Sequence, residues 1–361
     1  MKATQQLHGA GQSIWLDNIT RALLKSGTLQ RYLDDFAVTG LTSNPTIFDL
    51  AIKNTDDYTG AIRTKTAAGK AGEALFFELA LEDLIHAADL FRPIHEVTDR
   101  VDGWVSLEVS PKLAYDTAST LAAAKELYAR AGRPNVFIKI PGTREGLPAI
   151  EEAIFSGVPI NVTLLFSREQ YLAAAQAYIR GIERRIAAGL NPRVASVASL
   201  FVSRWDTAVA GKVPPALTNR LGIAIAKRTY KAYRDLLASD RWLGLVNRGA
   251  RSQRLLWAST GTKDPKASDV LYITSLAAPH TVNTMPENTL LALADHGVIG
   301  AMLPHDGGDA EQVLGEFTRA GIDLHALAEK LQRDGAAAFV QSWDNLLARI
   351  ADKSAELEKA S

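Results

Sequence analysis

The chain carries the segment Val136-Phe137-Ile138-Lys139-Ile140-Pro141-Gly142. Its β-branched and aromatic residues, followed by Pro-Gly, predict a short buried strand that ends in a loop. Lys139 is the only charged residue of this run. Burial disfavours an ammonium, and a neutral lysine amine can attack a ketone to form a Schiff base. The alternative is that Lys139 reaches water at the strand end or pairs with a carboxylate.

Similar short apolar runs recur along the chain, and stretches with helical periodicity separate most of them. The pattern predicts strands at 14–17, 36–42, 101–110, 135–140, 160–166, 194–202, 255–259 and 281–285, and helices that include 61–90, 114–131, 168–188 and 215–239. This alternation predicts an α/β protein whose parallel sheet closes into a (β/α)₈ TIM barrel. An open doubly wound sheet is the competing architecture, but no G-x-G-x-x-G motif follows any of the strands.

The pattern beyond Gly308 is helical only. Between 334 and 357, one apolar stripe contains Phe339, Trp343, Leu346 and Ile350, which suits packing against the barrel or a partner. We found no Pro-, Gly- or Ser-rich linker. We therefore predict a single domain over 1–361, in which 309–361 forms a helical C-terminal extension packed on the barrel.

The composition restricts the possible partners. The 361 residues include 40 Lys and Arg against 40 Asp and Glu, so no net charge attracts nucleic acid or membrane surfaces. The chain has no cysteine, which suits a cytoplasmic protein, and its seven histidines show no metal-ligand spacing. No apolar run is long enough to span a membrane, and residues 1–11 do not form a signal peptide.

Polar residues collect near the C-terminal ends of the predicted strands, where barrel enzymes have their active sites. They are Asp17, Asn44, Glu108, Lys139, Asn161, Thr163, Ser199 and Ser259. Strand parity points several of them into the barrel, which is costly unless they bind each other or a ligand. Asp17 and Glu108 could act as general acid or base beside the Lys139 amine, and the amides and hydroxyls suit sugar hydroxyl groups. An ion-paired ammonium in a purely structural network is the alternative.

Six strand-end motifs, in this order along the chain, resemble those of transaldolases. They are Leu16-Asp17, Thr42-Ser43-Asn44-Pro45-Thr46, Ser106-Leu107-Glu108-Val109-Ser110, Ile138-Lys139-Ile140-Pro141, Ile160-Asn161-Val162-Thr163-Leu164 and Ser199-Leu200-Phe201-Val202-Ser203-Arg204. The length, Trp257-Ala258-Ser259-Thr260-Gly261-Thr262-Lys263 and Thr281-Val282-Asn283-Thr284-Met285-Pro286 resemble the longer bacterial branch.

This resemblance implies transfer of a dihydroxyacetone unit between sugar phosphates in the pentose phosphate pathway, without a metal or organic cofactor. It makes Lys139 the Schiff-base lysine and Asp17 the base that takes the C4 hydroxyl proton. Glu108 and Thr163 would hold a proton-shuttling water. The resemblance also implies a substrate-binding set, in which Arg204 would bind phosphate and Phe201 would form a wall: Asn44, Asn161, Ser199, Phe201, Arg204 and Ser259.

The chain departs from the family pattern at Gly261, where many transaldolases carry a second phosphate-binding arginine. Lys263 could supply that charge, or it could be an ordinary solvated lysine of the loop. Two other functions stay open from the sequence. One is an aldolase that releases free dihydroxyacetone, and the other is a sugar-phosphate-binding barrel without catalysis. The chain could work as a monomer or a homodimer.

Overall fold

Eight parallel strands form a closed barrel in which each strand pairs with its neighbour in sequence order, and the last strand pairs with the first. The computed structural model describes residues 1–359, so the last two residues of the predicted domain and of its C-terminal extension lie outside the described part. The strands are β1 Gln12–Asp17, β2 Val38–Thr42, β3 Trp104–Glu108, β4 Val136–Pro141, β5 Ile160–Leu165, β6 Ser196–Phe201, β7 Arg254–Ala258 and β8 Thr281–Met285. The predicted (β/α)₈ barrel is confirmed.

The helices are α1 Ala3–Gly9, α2 Arg21–Lys25, α3 Thr28–Phe36, α4 Pro45–Asn54, α5 Thr59–Ala67, α6 Gly72–Val97, α7 Thr117–Ala131, α8 Gly146–Phe155, α9 Arg168–Ala187, α10 Ser203–Val209, α11 Leu221–Leu237, α12 Asp240–Val246, α13 Leu271–Ser275, α14 Glu287–His296, α15 Ala310–Arg319 and α16 Leu324–Lys359. Several begin at a side-chain cap: Ser167 accepts a hydrogen bond from the Gln170 amide at 3.1 Å, and Asp116 accepts one from the Ser119 amide at 3.0 Å. In the part of the chain that the structure describes, no helix is long and apolar enough to cross a membrane.

Two of the predicted helices are wrong in extent because the backbone turns within them. The stretch 61–90 is divided between α5 and α6, since Gly69 and Gly72 adopt φ angles of 79° and 54°. The stretch 215–239 begins with a 3₁₀ turn, and α11 starts only after Asn219, whose φ is 59°. A residue with a left-handed φ interrupts an α-helix, so a new helix starts at Gly72 in the first case and at Leu221 in the second.

Three of the predicted strands are too long. Phe36 ends α3 and Ala37 has a φ of 56°, so β2 starts at Val38. Gly103, with a φ of 77°, delays the start of β3 to Trp104. The sixth strand is also shorter than predicted, at Ser196–Phe201. The apolar pattern continues beyond these strands because several flanking side chains are also buried, among them Val109, Val194 and Val202.

The chain after Gly308 is helical, as predicted: α15 packs against α11, and α16 packs against α4, α5, α6 and the end of β5. Three side chains of the predicted apolar stripe, Trp343, Leu346 and Ile350, are fully buried. Phe339 is only partly buried. The stripe therefore holds α16 across the C-terminal face of the barrel.

Candidate active site

Register brings the candidate residues together. In the barrel, Glu108 of β3 lies opposite Lys139 of β4, and Lys139 lies opposite Asn161 of β5. Adjacent strands are about 4.8 Å apart, so these three side chains enter the same layer of the barrel interior. The layer lies close to the C-terminal ends of the strands.

Lys139 is buried, with 6% of its surface exposed, and its ammonium forms an ion pair with the equally buried Glu108. The Lys139 Nζ also donates a hydrogen bond to the Ser43 carbonyl at 2.8 Å. This ion pair agrees with the alternative interpretation of the sequence, in which Lys139 pairs with a carboxylate. Lys139 nevertheless lines an open cavity of about 270 Å³, so its amine can be approached from the mouth of the barrel.

A second carboxyl group, on Asp17, lines the same cavity. Its Oδ1 accepts a hydrogen bond from Thr42 Oγ1 at 2.8 Å, and its Oδ2 accepts a longer one from Asn44 Nδ2 at 3.5 Å. Asn44 also caps α4, since its side chain accepts from the Ile47 amide at 3.2 Å. The helix cap therefore holds Asn44 beside Asp17.

Burial raises the pKa of Asp17 and of Glu108 above the usual carboxyl range, and the nearby Lys139 ammonium opposes this rise. The two carboxyl groups also repel each other, which raises the pKa of Glu108 further. The Lys139 ammonium thus lowers the pKa of both carboxyl groups, while Lys263 acts in the same direction on Asp17 and Arg204 on Glu108. Carboxyl groups in such surroundings exchange protons at higher pH than exposed ones, which suits acid–base chemistry.

Hydrogen bonds connect the amide and hydroxyl groups of the next strands. Ser199 Oγ donates to Asn161 Oδ1 at 2.7 Å, and Asn161 Nδ2 donates to Ser106 Oγ at 3.2 Å. Ser199 lines the cavity, whereas Asn161 lies behind it. Thr163 also lines the cavity, and its buried Oγ1 has no hydrogen-bond partner within the described residues. That hydroxyl is free to bind a ligand or water.

The outer part of the cavity is cationic. Arg204 lines it, with its guanidinium carbon 5.1 Å from the centre of the Phe201 ring. Arg204 forms no ion pair within the described residues, and burial lowers the pKa of its guanidinium, a change that Glu108 opposes. Lys263 lines the same cavity from the β7–α13 loop, and Ser259 Oγ lies 2.9 Å from Ser203 Oγ.

The structure thus brings the predicted residues into one site. All of them line the cavity except Glu108 and Asn161, which contact Lys139 and Ser199 respectively from behind. The sequence analysis missed Thr42, Thr284 and Phe339, which also line it. Thr42 and Thr284 stand within the motifs quoted above, so their strand-end positions could have identified them. No local signal could have identified Phe339, because α16 reaches the cavity only through tertiary packing.

Comparison with known proteins shows which family the chain belongs to. The family model for transaldolase/fructose-6-phosphate aldolase matches residues 14–350. A transaldolase of Arthrobacter sp. (strain FB24) is 43% identical, with 99% of each chain covered. One of Thermobifida fusca (strain YX) is 44% identical, over 97% of this chain and 98% of the relative. Transaldolase 2 of Nostoc sp. is 40% identical, over 95% of each. The chain therefore belongs to the transaldolase/fructose-6-phosphate aldolase family and is an enzyme of the transaldolase type.

Proposed function

We propose that this enzyme transfers a dihydroxyacetone unit from a ketose phosphate to an aldose phosphate through a Schiff base on Lys139. The physiological reaction converts sedoheptulose 7-phosphate and glyceraldehyde 3-phosphate to erythrose 4-phosphate and fructose 6-phosphate, in the pentose phosphate pathway of the cytoplasm. The observation that carries the proposal is the buried Lys139 amine, which faces a cavity and contacts a carboxyl group that can take its proton.

Glu108 prepares Lys139 for the first step. An ammonium has no lone pair, so it must lose a proton before it attacks the C2 carbonyl of the ketose. Burial raises the pKa of Glu108, which makes its carboxylate a better acceptor for that proton. The amine then adds to C2, and loss of water leaves an iminium. Glu108 and the unpartnered Thr163 hydroxyl can hold the water that carries protons in this step.

Asp17 acts in the cleavage step. It takes the proton from the C4 hydroxyl, the C3–C4 bond breaks, and its electron pair moves into the iminium to give an enamine on Lys139. The first product then leaves as an aldose phosphate, whose aldehyde carbon is the former C4 of the ketose. The bonds from Thr42 and Asn44 orient the Asp17 carboxylate for this transfer. The acceptor aldehyde then reverses the same steps, and hydrolysis frees the product.

The remaining polar groups hold the two ends of the substrate. Asn44 and Ser199 suit the hydroxyls of the three-carbon unit, and Asn161 holds Ser199 through its hydrogen bond from behind the cavity. Phe201 forms an apolar wall. The unpaired Arg204 suits the terminal phosphate, since a guanidinium binds phosphate with two parallel hydrogen bonds. Lys263 supplies a second positive charge for the phosphate, which Gly261 cannot provide in place of the family's arginine. Ser259 lines the same cavity and adds a hydroxyl group.

The enzyme should need no metal or organic cofactor, because the iminium itself accepts the electrons of the broken bond. We also propose that the whole chain acts as one domain, as a monomer or homodimer. Phe339 of the C-terminal extension lines the cavity, which supports the proposal of a single domain.

Borohydride trapping tests the proposal. Reduction in the presence of fructose 6-phosphate should add the mass of a three-carbon unit to the peptide that contains Lys139. Lys139→Arg should abolish both the adduct and turnover, because a guanidinium stays protonated. Lys112→Arg, at an exposed lysine, is the matched control and should keep both. An adduct on another lysine, or no adduct, would refute the proposal.

Product analysis separates transfer from simple aldol cleavage. Without an aldose acceptor, the enamine should persist and fructose 6-phosphate should be consumed only stoichiometrically. Rapid multiple turnover with release of free dihydroxyacetone would instead identify an aldolase. Saturable sugar-phosphate binding that is unchanged in Lys139→Met, with no turnover in the wild type, would identify a binding protein.

A further inference from the structure

Helix α16 crosses Arg204 at its single glycine. Gly335 is buried, and a Cβ atom at this position would lie 3.1 Å from the Arg204 Nη1 and 3.0 Å from the Leu164 Cδ2. Such distances are shorter than ordinary van der Waals contacts, so any side chain would displace one of these neighbours. Glycine is unfavourable inside a helix, and its φ here is helical. The absence of a side chain at Gly335 therefore leaves room for the Arg204 guanidinium.

Phe339, one turn later in α16, contacts the same guanidinium. The Arg204 guanidinium carbon lies 5.7 Å from the Phe339 ring centre and 5.1 Å from that of Phe201. The two rings lie 6.5 Å apart and form one aromatic surface against Arg204. Cation–π contacts of this kind hold the guanidinium while leaving its N–H groups available to a ligand.

Gln332, one turn earlier, fixes the position of α16 along the barrel. Its Nε2 donates to the Gly142 carbonyl at 3.1 Å and to the Leu164 carbonyl at 2.9 Å. Gly142 directly follows β4, which carries Lys139, and Leu164 is the second-last residue of β5, which carries Thr163. The spacing of 332, 335 and 339 puts all three residues on one face of the helix.

We propose that this face of α16, which we call the Arg204 support (Gln332, Gly335 and Phe339), sets the preference for phosphorylated over unphosphorylated sugars. It positions the Arg204 guanidinium and takes no part in the bond-making steps. This inference rests on the proposed phosphate-binding role of Arg204. Gly335 is a positioning residue, since it acts through Arg204 and leaves the Lys139 chemistry untouched.

The substitution Gly335→Ala tests the inference. The added methyl group should move Arg204, so that KM for fructose 6-phosphate and the inhibition constant of inorganic phosphate both rise about tenfold, as expected when a charge-assisted hydrogen bond is weakened. The kcat and the yield of borohydride trapping with dihydroxyacetone should stay near the wild-type values. Unfolding of the variant should not interfere, because alanine favours the helix more than glycine does.

Gly315→Ala is the matched control. Gly315 is also inside a helix, α15, and a Cβ there would lie 3.7 Å from an arginine nitrogen, that of Arg319, which is an ordinary contact. This variant should keep wild-type constants. Equal effects of the two substitutions would overturn the inference.

The Arg204→Ala background separates the inference from its foundation. If Gly335 acts through Arg204, adding Gly335→Ala to Arg204→Ala should change neither KM nor the inhibition constant further. A further tenfold change there would overturn the inference. If Arg204→Ala alone leaves both constants unchanged, the proposed phosphate-binding role fails instead.

Phe339→Leu provides an independent variant, which decides the outcome if Gly335→Ala fails to fold. Loss of the ring should raise the same two constants by a much larger factor than any fall in the trapping yield with dihydroxyacetone. Unchanged constants in this variant, or a loss of dihydroxyacetone trapping equal to the loss of phosphate binding, would overturn the inference.

Discussion

Lys139 is held between two neighbouring strands that each limit what it can do. Glu108 on β3 forms an ion pair with the Lys139 ammonium. The cavity keeps the Lys139 amine accessible to a substrate. Removing one partner of a buried ion pair leaves an uncompensated charge, so the pair persists until a substrate arrives. In the mechanism that we propose, the ion pair and the Schiff base are successive states of Lys139, and Glu108 accepts the proton between them.

Asp17→Asn should slow cleavage without preventing imine formation. An amide cannot take the C4 hydroxyl proton, so kcat should fall by about 10²–10⁴-fold, the usual contribution of a general base. Borohydride trapping with fructose 6-phosphate should still label Lys139 in this variant. Asp56→Asn, at a side chain that is 98% exposed, is the control and should keep full activity. Wild-type turnover of Asp17→Asn would exclude Asp17 as the base.

The same substitution should change how stability depends on pH. Burial raises the pKa of Asp17 above its usual 3.8, so the folded protein binds this proton more readily than the unfolded chain does. Its stabilising contribution is complete below the unfolded pKa and is lost as the pH rises through the folded value. At neutral pH the wild type must bury a charged Asp17 carboxylate, which costs free energy. Asparagine is neutral and avoids this cost, so Asp17→Asn should be more stable than the wild type at neutral pH.

Thermal unfolding between pH 4 and 7 checks this sign. The advantage of Asp17→Asn should shrink as the pH falls toward about 4, the usual range of an aspartate. Asp56→Asn should differ little from the wild type throughout. A stability difference between Asp17→Asn and the wild type that stays constant, or grows as the pH falls, would contradict a raised pKa for Asp17.

At the scale of the elements, α16 is the helix that joins stability to function. Trp343 is fully buried, with its ring 4.9 Å from that of Phe76 and 5.6 Å from that of Phe77. Phe339, one turn earlier, reaches the cavity. The aromatic cluster on α6 therefore anchors the helix that supplies a wall of the active site.

Trp343→Ala should destabilise the protein by about 3–5 kcal/mol, the usual cost of truncating a buried aromatic side chain to alanine. Trp343→Phe should cost less than Trp343→Ala, because a ring still fills most of the space and keeps contact with α6. The indole Nε1 has no hydrogen-bond partner in the described part of the chain, so phenylalanine loses no such bond. Urea denaturation measures both. Equal costs for the two variants would show that the ring contacts with α6 contribute little.

At the scale of the whole molecule, a polar network closes the end of the barrel opposite the active site. Buried Asp102 accepts hydrogen bonds from Ser13 Oγ, from Trp15 Nε1 at 2.8 Å and from Thr39 Oγ1 at 2.8 Å. Arg254 of β7 donates to Ser13 Oγ at 2.6 Å. The network thus connects β1, β2 and β7 with Asp102, which lies two residues before β3. It joins strands that lie far apart in sequence.

Asp102→Ala should destabilise the fold by roughly 3–5 kcal/mol, because it leaves the buried Arg254 without its acidic partner. Asp99→Asn is the control: Asp99 pairs with Arg193 and Arg251 at the exposed surface, and loss of its charge should cost less than about 1 kcal/mol. Asparagine also tolerates the left-handed φ of 50° at this position. Chemical denaturation measures both. The kcat of folded Asp102→Ala should match the wild type, and a selective loss of kcat would show that the two ends of the barrel are coupled.

The candidate site could be predicted in large part because strand ends carry local information. A polar residue at the end of a buried strand, such as Lys139 or Asn161, faces one of two sides, and the closure of the barrel then determines which groups meet. Lys263 was harder to predict, because a loop lysine has no periodicity. Its position beside the cavity follows from the path of the loop after β7.

The order of strands and helices, the barrel, and the identities of the catalytic candidates followed from the sequence alone, because hydrophobic periodicity and strand-end polarity are local properties. Only the tertiary structure decided the helix breaks at Gly69 and Asn219, the direct pairing of Lys139 with Glu108, and the arrival of Phe339 at the cavity. Backbone turns can replace a helical pattern wherever packing favours them, and contacts between distant segments arise only when the whole chain has closed around its core.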